Sequence, residues 1–180
     1  MTTITASVVN KLRQMTGAGM MDCKKALQEA EGDIDAAIDI LRKSGAAKAA
    51  KRADRDAAEG LSIAKSSADN TYGIVVEVNC ETDFVAKNDD FVAFANKIAD
   101  IALDQKFADR DALLATPFDG KTLGEILVDK TAVIGEKIDV SNYALVSSEG
   151  VAAYNHGANR IGVLVALNSN EESLCKRVEI

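Results

Sequence analysis

At 180 residues the chain is long enough to bury a real core, as one domain or as a small domain beside a medium one. Apolar residues make up 47% and aromatics only 4%, so Ala, Ile, Leu and Val must supply most of the packing. A formal charge of −7 argues against nucleic acid or an anionic membrane as the main partner, because phosphate binding needs clustered positive charge. Three cysteines, at 23, 80 and 175, are too few and too scattered for a disulfide framework, and an odd count fits a reducing compartment. The N-terminus lacks a basic stretch followed by a long apolar one, and no run approaches a membrane span. The composition therefore points to a cytoplasmic protein.

Three short helices are predicted in the first 45 residues. Val8, Val9, Leu12 and Met15 recur at helical spacing, then Met20, Cys23, Leu27 and Ala30, then Ile34, Ile38 and Leu41. Gly17 and Gly19 separate the first two helices, Gly32 and Asp33 supply a C-terminal glycine and an N-cap, and Gly45 is expected to end the third. Residues 46–59 then form a basic, Ala-rich linker, read as an exposed helix or a flexible connector. Arg42, Lys43, Lys48, Lys51, Arg52 and Arg55, in and just before it, either steer an acidic surface or line a solvated stretch.

From residue 60 the pattern becomes that of strands. Leu61 to Lys65 and Tyr72 to Val78 flank a turn at Ala68, Asp69 and Asn70 and read as a hairpin. Phe91, Phe94, Ile98 and Ile101 mark a helix, with Asn88 or Asp89 as its N-cap. Thr122 and Glu125 have capping-box spacing at the start of another helix that runs through Val133. Strands are predicted at 139–147, 150–154 and 160–168, followed by a second capping box from Ser169 to Glu172. Hairpins separated by helices, rather than strict alternation, indicate an α+β fold with an antiparallel sheet packed with helices.

A thiol enzyme would draw on Cys80, Asp83 and His156, but no spacing joins them, and Cys80 at the end of an apolar strand reads equally as a small buried hydrophobe. The cysteines and the single histidine show no paired metal-ligand spacing, and the glycines at 17 and 19 lack a preceding strand and a phosphate-loop pattern. No metal, cofactor or catalytic residue is assigned. The informative residues are those that make a surface. Met20 and Met21 point about 100° apart on one helix, so at least one must face outward, with Arg13 and Lys24 at its flanks. Phe84 stands in a polar strand-to-helix junction. Because exposed aromatics are costly, the residues alone favour its folding back onto the sheet, with Asp83 or Thr82 capping the next turn.

At these residues a resemblance enters. LRQMTGAGMMDCKKAL (12–27) and EVNCETDFVAK (77–87) resemble the two signatures of the elongation factor Ts family, guanine-nucleotide exchange factors of the GTPase EF-Tu. Segments at Ile134-Gly-Glu and Tyr154-Asn-His-Gly are similar to later parts of that family. The resemblance implies a non-enzymatic factor that needs no cofactor and binds EF-Tu in its GDP form. It also implies a three-helix ubiquitin-associated-like module at 1–45, a linker at 46–59 and an α+β core of the dimerisation type at 60–180. Arg13, Met20, Met21 and Lys24 would grip a helix of the GTPase. Asp83 and Phe84, flanked by Thr82 and Val85, would act as a wedge near its magnesium and phosphate site, and Ile134 and His156 would give supporting core contacts. Two departures accompany it: the core is expected to lack its second half, and Asn159 interrupts a His-Gly-Ala-Arg pattern. The rival readings are a passive helix-binding module and a thiol enzyme using Cys80 and His156.

Overall fold

The computed structural model describes residues 4–171, 173 and 177. Cys175 and Glu172, the last position of the second capping box, lie outside them. The described residues form two compact units, one running through Arg55 and including 125–137, the other comprising 56–124 and the residues from Ile138 onward.

The first unit is helical. Thr5 caps α1 (Ala6–Thr16) with its hydroxyl oxygen, and Gly17 ends it in the left-handed region at φ 68°, its N–H donating to the Arg13 carbonyl. After α2 (Met20–Glu29) the Gly32 N–H returns to the Leu27 carbonyl, and Asp33 caps α3 through the Ala36 N–H. Val9, Leu12, Cys23, Ala26, Leu27 and Ala37 make a small core that follows the spacing of the apolar residues.

Gly45 does not end the third helix: α3 runs from Ile34 to Ala50. Gly45 is buried, and a Cβ there would come within 3.0 Å of the Ala132 side chain, so the glycine permits close approach of a second helix. The alanines beyond it carry the helix on by propensity. That neighbour is α7 (Leu123–Ile134), which from Glu125 onward belongs to this unit.

The second unit is built on an antiparallel sheet of order β1-β2-β5, from β1 (Glu59–Ser66), β2 (Tyr72–Cys80) and β5 (Asp139–Ser147). Leu61 pairs with Val78 and Ile63 with Val76, and the register of β2 against β5 shifts at Glu77/Val78. Alternation sends Ile74, Val76 and Val78 to one face, where they are fully buried. On the opposite face of β2 stand Val75, Glu77 and Asn79. The helix α5 (Asp89–Gln105) packs on β1 and β2 with Phe91, Phe94 and Ile98 buried, each worth about 1.5–3 kcal/mol of transfer free energy. Asn88 caps it, accepting from the Asp90 and Phe91 N–H groups.

Two elements carry no periodic signal that the sequence reading could use. α6 (Arg110–Ala115) is a short helix capped by Asp109, and β3 (Pro117–Phe118) with β4 (Lys121–Thr122) is a miniature hairpin whose Phe118 meets Phe94 edge-on at 5.7 Å. The strands from 150 onward do not extend the main sheet. β6 (Gly150–His156) and β7 (Ile161–Leu167) form a hairpin of their own beside β1.

Asn155 joins this hairpin to β1 as a strand would: its Oδ1 accepts from the Ala64 N–H at 2.8 Å and its Nδ2 donates to the Ala64 carbonyl at 2.9 Å. Asn155→Ala leaves both backbone groups unpaired and is expected to cost about 2 kcal/mol, seen as a lower urea midpoint at an unchanged slope. An unaltered midpoint would show that water replaces the amide. The departure at Asn159 falls in the β6–β7 turn, where Gly157, Ala158 and Asn159 are all left-handed, at φ 60°, 55° and 65°. Asparagine tolerates that region better than most residues, and its carbonyl accepts from the Ser62 N–H at 2.7 Å.

Candidate functional site

In the helical unit Met20 and Met21 are both exposed, at 45% and 62%, because the core of α2 is completed by Cys23, Ala26 and Leu27. Met20, which the periodicity places with the core residues, is therefore part of the surface. Arg13 and Lys24 are exposed and make no ion pair among the described residues. Asp22 is engaged instead by Lys48 at 2.8 Å, which ties α2 to α3.

Sequence reasoning missed two further exposed apolar residues of this unit. Met15, counted with the apolar stripe of α1, is exposed, and so is Val133, whose methyl lies 3.5 Å from where a Cβ on Gly17 would be. Ile134, exposed as well, sits in this helical unit and not in the sheet unit with His156. The adjacent pair Val133 and Ile134 carried the same signal as Met20 and Met21: two neighbours on one helix cannot share one buried direction.

In the sheet unit the junction after β2 is a single helical turn, α4 (Asp83–Ala86). Thr82 caps it through Oγ1, which accepts from the Val85 N–H, so the cap is Thr82 rather than Asp83. Ala86 is buried and Val85 half-buried. Phe84, two residues and about 200° around the turn from Ala86, is directed outward and is 83% exposed. It does not fold back onto the sheet. The buried side of this one-turn helix is filled by Ala86, and the short cap-to-sheet connection leaves no rotation that would bury both residues.

Asp83 pairs with Lys87 at 2.7 Å, one turn along. The hydrogen bond from Lys87, then the charges of Lys87 and Arg160, hold its carboxyl below the ordinary value of 3.8. A carboxyl lowered in the folded state favours folding above its unfolded value, and that contribution is lost as pH falls through its folded value. Asp83 is thus expected to remain ionised through neutral and mildly acidic pH and to titrate below 3.8, whereas Lys87→Met moves its midpoint back up toward that value. Carboxyl NMR shifts measure both, and identical midpoints in parent and variant would refute the pairing.

His156, exposed at the end of β6, lies with Nδ1 2.7 Å from the Tyr154 hydroxyl. Cys80 is fully buried with its thiol donating to the Thr82 carbonyl, and Cys23 is buried in the helical core. The described residues hold no group of three or more His, Cys, Asp or Glu placed to ligate a metal ion, and no helix among them is long and apolar enough to cross a membrane.

The architecture is that of the α+β class, with a helical N-terminal unit preceding antiparallel strands packed with helices. The family model described as Elongation factor TS matches residues 81–180. Among curated proteins, the chain is 51% identical to the Elongation factor Ts of Christiangramia forsetii, over 94% of this chain and 61% of that protein. It is 48% identical to that of Flavobacterium johnsoniae, over 100% and 56%, and 49% identical to that of Alkalilimnicola ehrlichii, over 97% and 60%. The chain belongs to the elongation factor Ts family. It spans about three fifths of the length of these curated relatives.

Proposed function

We propose that the chain docks on GDP-bound EF-Tu and promotes exchange of GDP for GTP, acting in the cytoplasm as a translation elongation factor and not as an enzyme. The observation that carries this reading is Phe84, an aromatic held 83% exposed on a capped helical turn, in a chain whose family is that of elongation factor Ts. A side chain of that size left in water lowers solubility and gains nothing for the fold, so its natural counterpart is a pocket on a partner.

The proposed mechanism divides the work. Arg13, Met20, Met21 and Lys24 of the helical module grip a helix of the GTPase with an apolar centre and a charged rim. Ile134, exposed in the same unit, adds to that grip. Thr82 and Val85 hold the turn while Phe84 enters between elements near the magnesium and phosphate site. Asp83, kept ionised by Lys87, presents negative charge beside it. His156 gives a supporting contact. Coupling is reciprocal, so whatever free energy the factor gains in the nucleotide-free state is lost from nucleotide affinity, and each tenfold weakening of GDP takes about 1.4 kcal/mol.

The test is release of a fluorescent GDP analogue from EF-Tu at millimolar magnesium, with and without the chain. Acceleration that saturates with chain concentration is the expected result. Binding without acceleration would leave a passive docking module, and neither binding nor acceleration would remove EF-Tu as the partner.

A further inference from the structure

The β6–β7 hairpin has one face tied down and one face open. On the tied face the Asn155 amide bonds both backbone groups of Ala64, and the Gly162 N–H donates to Ser62 Oγ at 3.2 Å. A Cβ on Gly162 would come within 2.8 Å of the Ser62 carbonyl oxygen, so β1 lies directly against that side. The strand period of two turns Tyr154, His156, Ile161 and Val163 the other way. Tyr154 pairs across the ladder with Val163 and His156 with Ile161, so the four side chains form one patch.

Within that patch the two polar side chains bond each other. The Tyr154 hydroxyl lies 2.7 Å from His156 Nδ1, and the rings, tilted by 36° with centroids 5.9 Å apart, meet through the hydroxyl and not by stacking. The side chains of Ile161 and Val163 are apolar and give the imidazole no other partner, while the Arg160 guanidinium is directed to Glu59 at 3.3 Å. The backbone of His156 is held too, its carbonyl accepting from the Arg160 N–H at 3.0 Å. A phenol O–H is the natural donor to a neutral imidazole, so Nδ1 accepts and the ring proton sits on Nε2. In a protonated ring the phenol oxygen accepts from Nδ1–H instead, and Nε2 still carries its hydrogen. The edge turned away from Tyr154 is an N–H donor in either charge state.

We infer that Tyr154 is a positioning residue: its hydroxyl fixes the His156 ring so that Nε2–H is presented to an acceptor oxygen, a carbonyl or carboxylate, on the GTPase partner. An unrestrained imidazole on a surface strand samples several rotamers and both tautomers, and docking must then select one of them at an entropic cost. The tyrosine ring is stiff, with two rotatable bonds, and its hydrogen bond makes that selection before the partner arrives. The partner contact of His156 belongs to the exchange-factor reading, whereas the bond that orients the ring needs no partner.

The experiment has two arms. His156 is the single histidine of the chain, so long-range proton–nitrogen NMR spectra of the ring contain one set of signals. They are recorded at about pH 8.5, where an imidazole is neutral. The parent is expected to show a protonated Nε2 and an Nδ1 resonance displaced by the phenol, and Tyr154→Phe, which keeps the ring and removes only the hydroxyl, returns Nδ1 to the position of an unbonded nitrogen. Identical ring spectra in parent and variant overturn the orienting bond. In the second arm, affinity for EF-Tu falls about fivefold in Tyr154→Phe, the cost of ordering one side chain on docking. The double variant Tyr154→Phe/His156→Ala binds no more weakly than His156→Ala alone, because Tyr154 acts through the imidazole. Losses that add, or an unchanged affinity in Tyr154→Phe, overturn the positioning role. An EF-Tu that binds neither parent nor variant overturns the exchange-factor reading, while the ring spectra still decide the Tyr154–His156 bond.

Discussion

Phe84→Ala is expected to reduce the acceleration of GDP release from EF-Tu by about thirtyfold, the equivalent of about 2 kcal/mol for truncating an aromatic anchor, while thermal unfolding of the isolated chain stays within measurement of the parent. The two halves of that expectation come from one fact. Phe84 is 83% exposed, so the folded chain has little to lose when the ring is removed, and a surface substitution of this kind changes stability by no more than about 0.5 kcal/mol. The backbone turn that holds it is specified elsewhere, by the Thr82 cap, the Asp83–Lys87 pair and the buried Ala86. Parallel stopped-flow release and calorimetric unfolding separate the outcomes. If unfolding falls together with activity, the ring is a structural element and the wedge is wrong. If neither changes, the push comes from another part of the surface.

The second large effect concerns the helical unit. Leu27→Ala is expected to destabilise it by about 3 kcal/mol, the usual cost of emptying a fully buried leucine site. The buried cluster around it is small among the described residues and includes Ala26, Ala37 and Cys23, so there is little mass to collapse into the space. A loss of that size approaches the whole stability of so small a core. The amide resonances of α1 to α3 should therefore lose dispersion at a temperature where those of α5 and β2 remain sharp. Affinity for EF-Tu should fall with them, since Met20, Met21, Arg13 and Lys24 are displayed only by the folded helices. A variant whose two sets of resonances fade at the same temperature would show that the units do not unfold separately.

The parts of this molecule that could be read from the chain are those decided within a few residues. Gly17 as a helix break, Asp33 as a cap, a cap at Asn88 or Asp89, of which the fold uses Asn88, and the turn between β1 and β2 all follow from hydrogen bonds and dihedral limits that act locally. Alternation was equally legible, because the side-chain period of two places Ile74, Val76 and Val78 on one face whatever covers them. Failures occurred where a distant segment decides. Gly45 looks like a stop signal, yet the approach of Ala132, more than eighty positions away, makes it a packing contact inside a longer helix. Met15 and Met20 fit the apolar period but lose their places in the core to Leu12, Cys23 and Leu27.

The candidate site shows the same division. Met20, Met21, Asp83 and Phe84 attracted notice in the sequence because adjacent methionines and an aromatic in a polar junction are locally inconsistent with burial. That inconsistency did not say which way they turn, and the cost of exposing an aromatic argued for the wrong direction at Phe84.

By itself, then, the sequence determined the α+β class, the caps and turns, the inward faces of helices and strands, and the resemblance to the elongation factor Ts family, because propensity, capping and periodicity are local physics. Tertiary structure alone decided the joining of 125–137 to the helical unit and the outward set of Phe84. Exposure and hydrogen-bond satisfaction depend on which remote atoms arrive to cover a group, and no window of the chain contains that information.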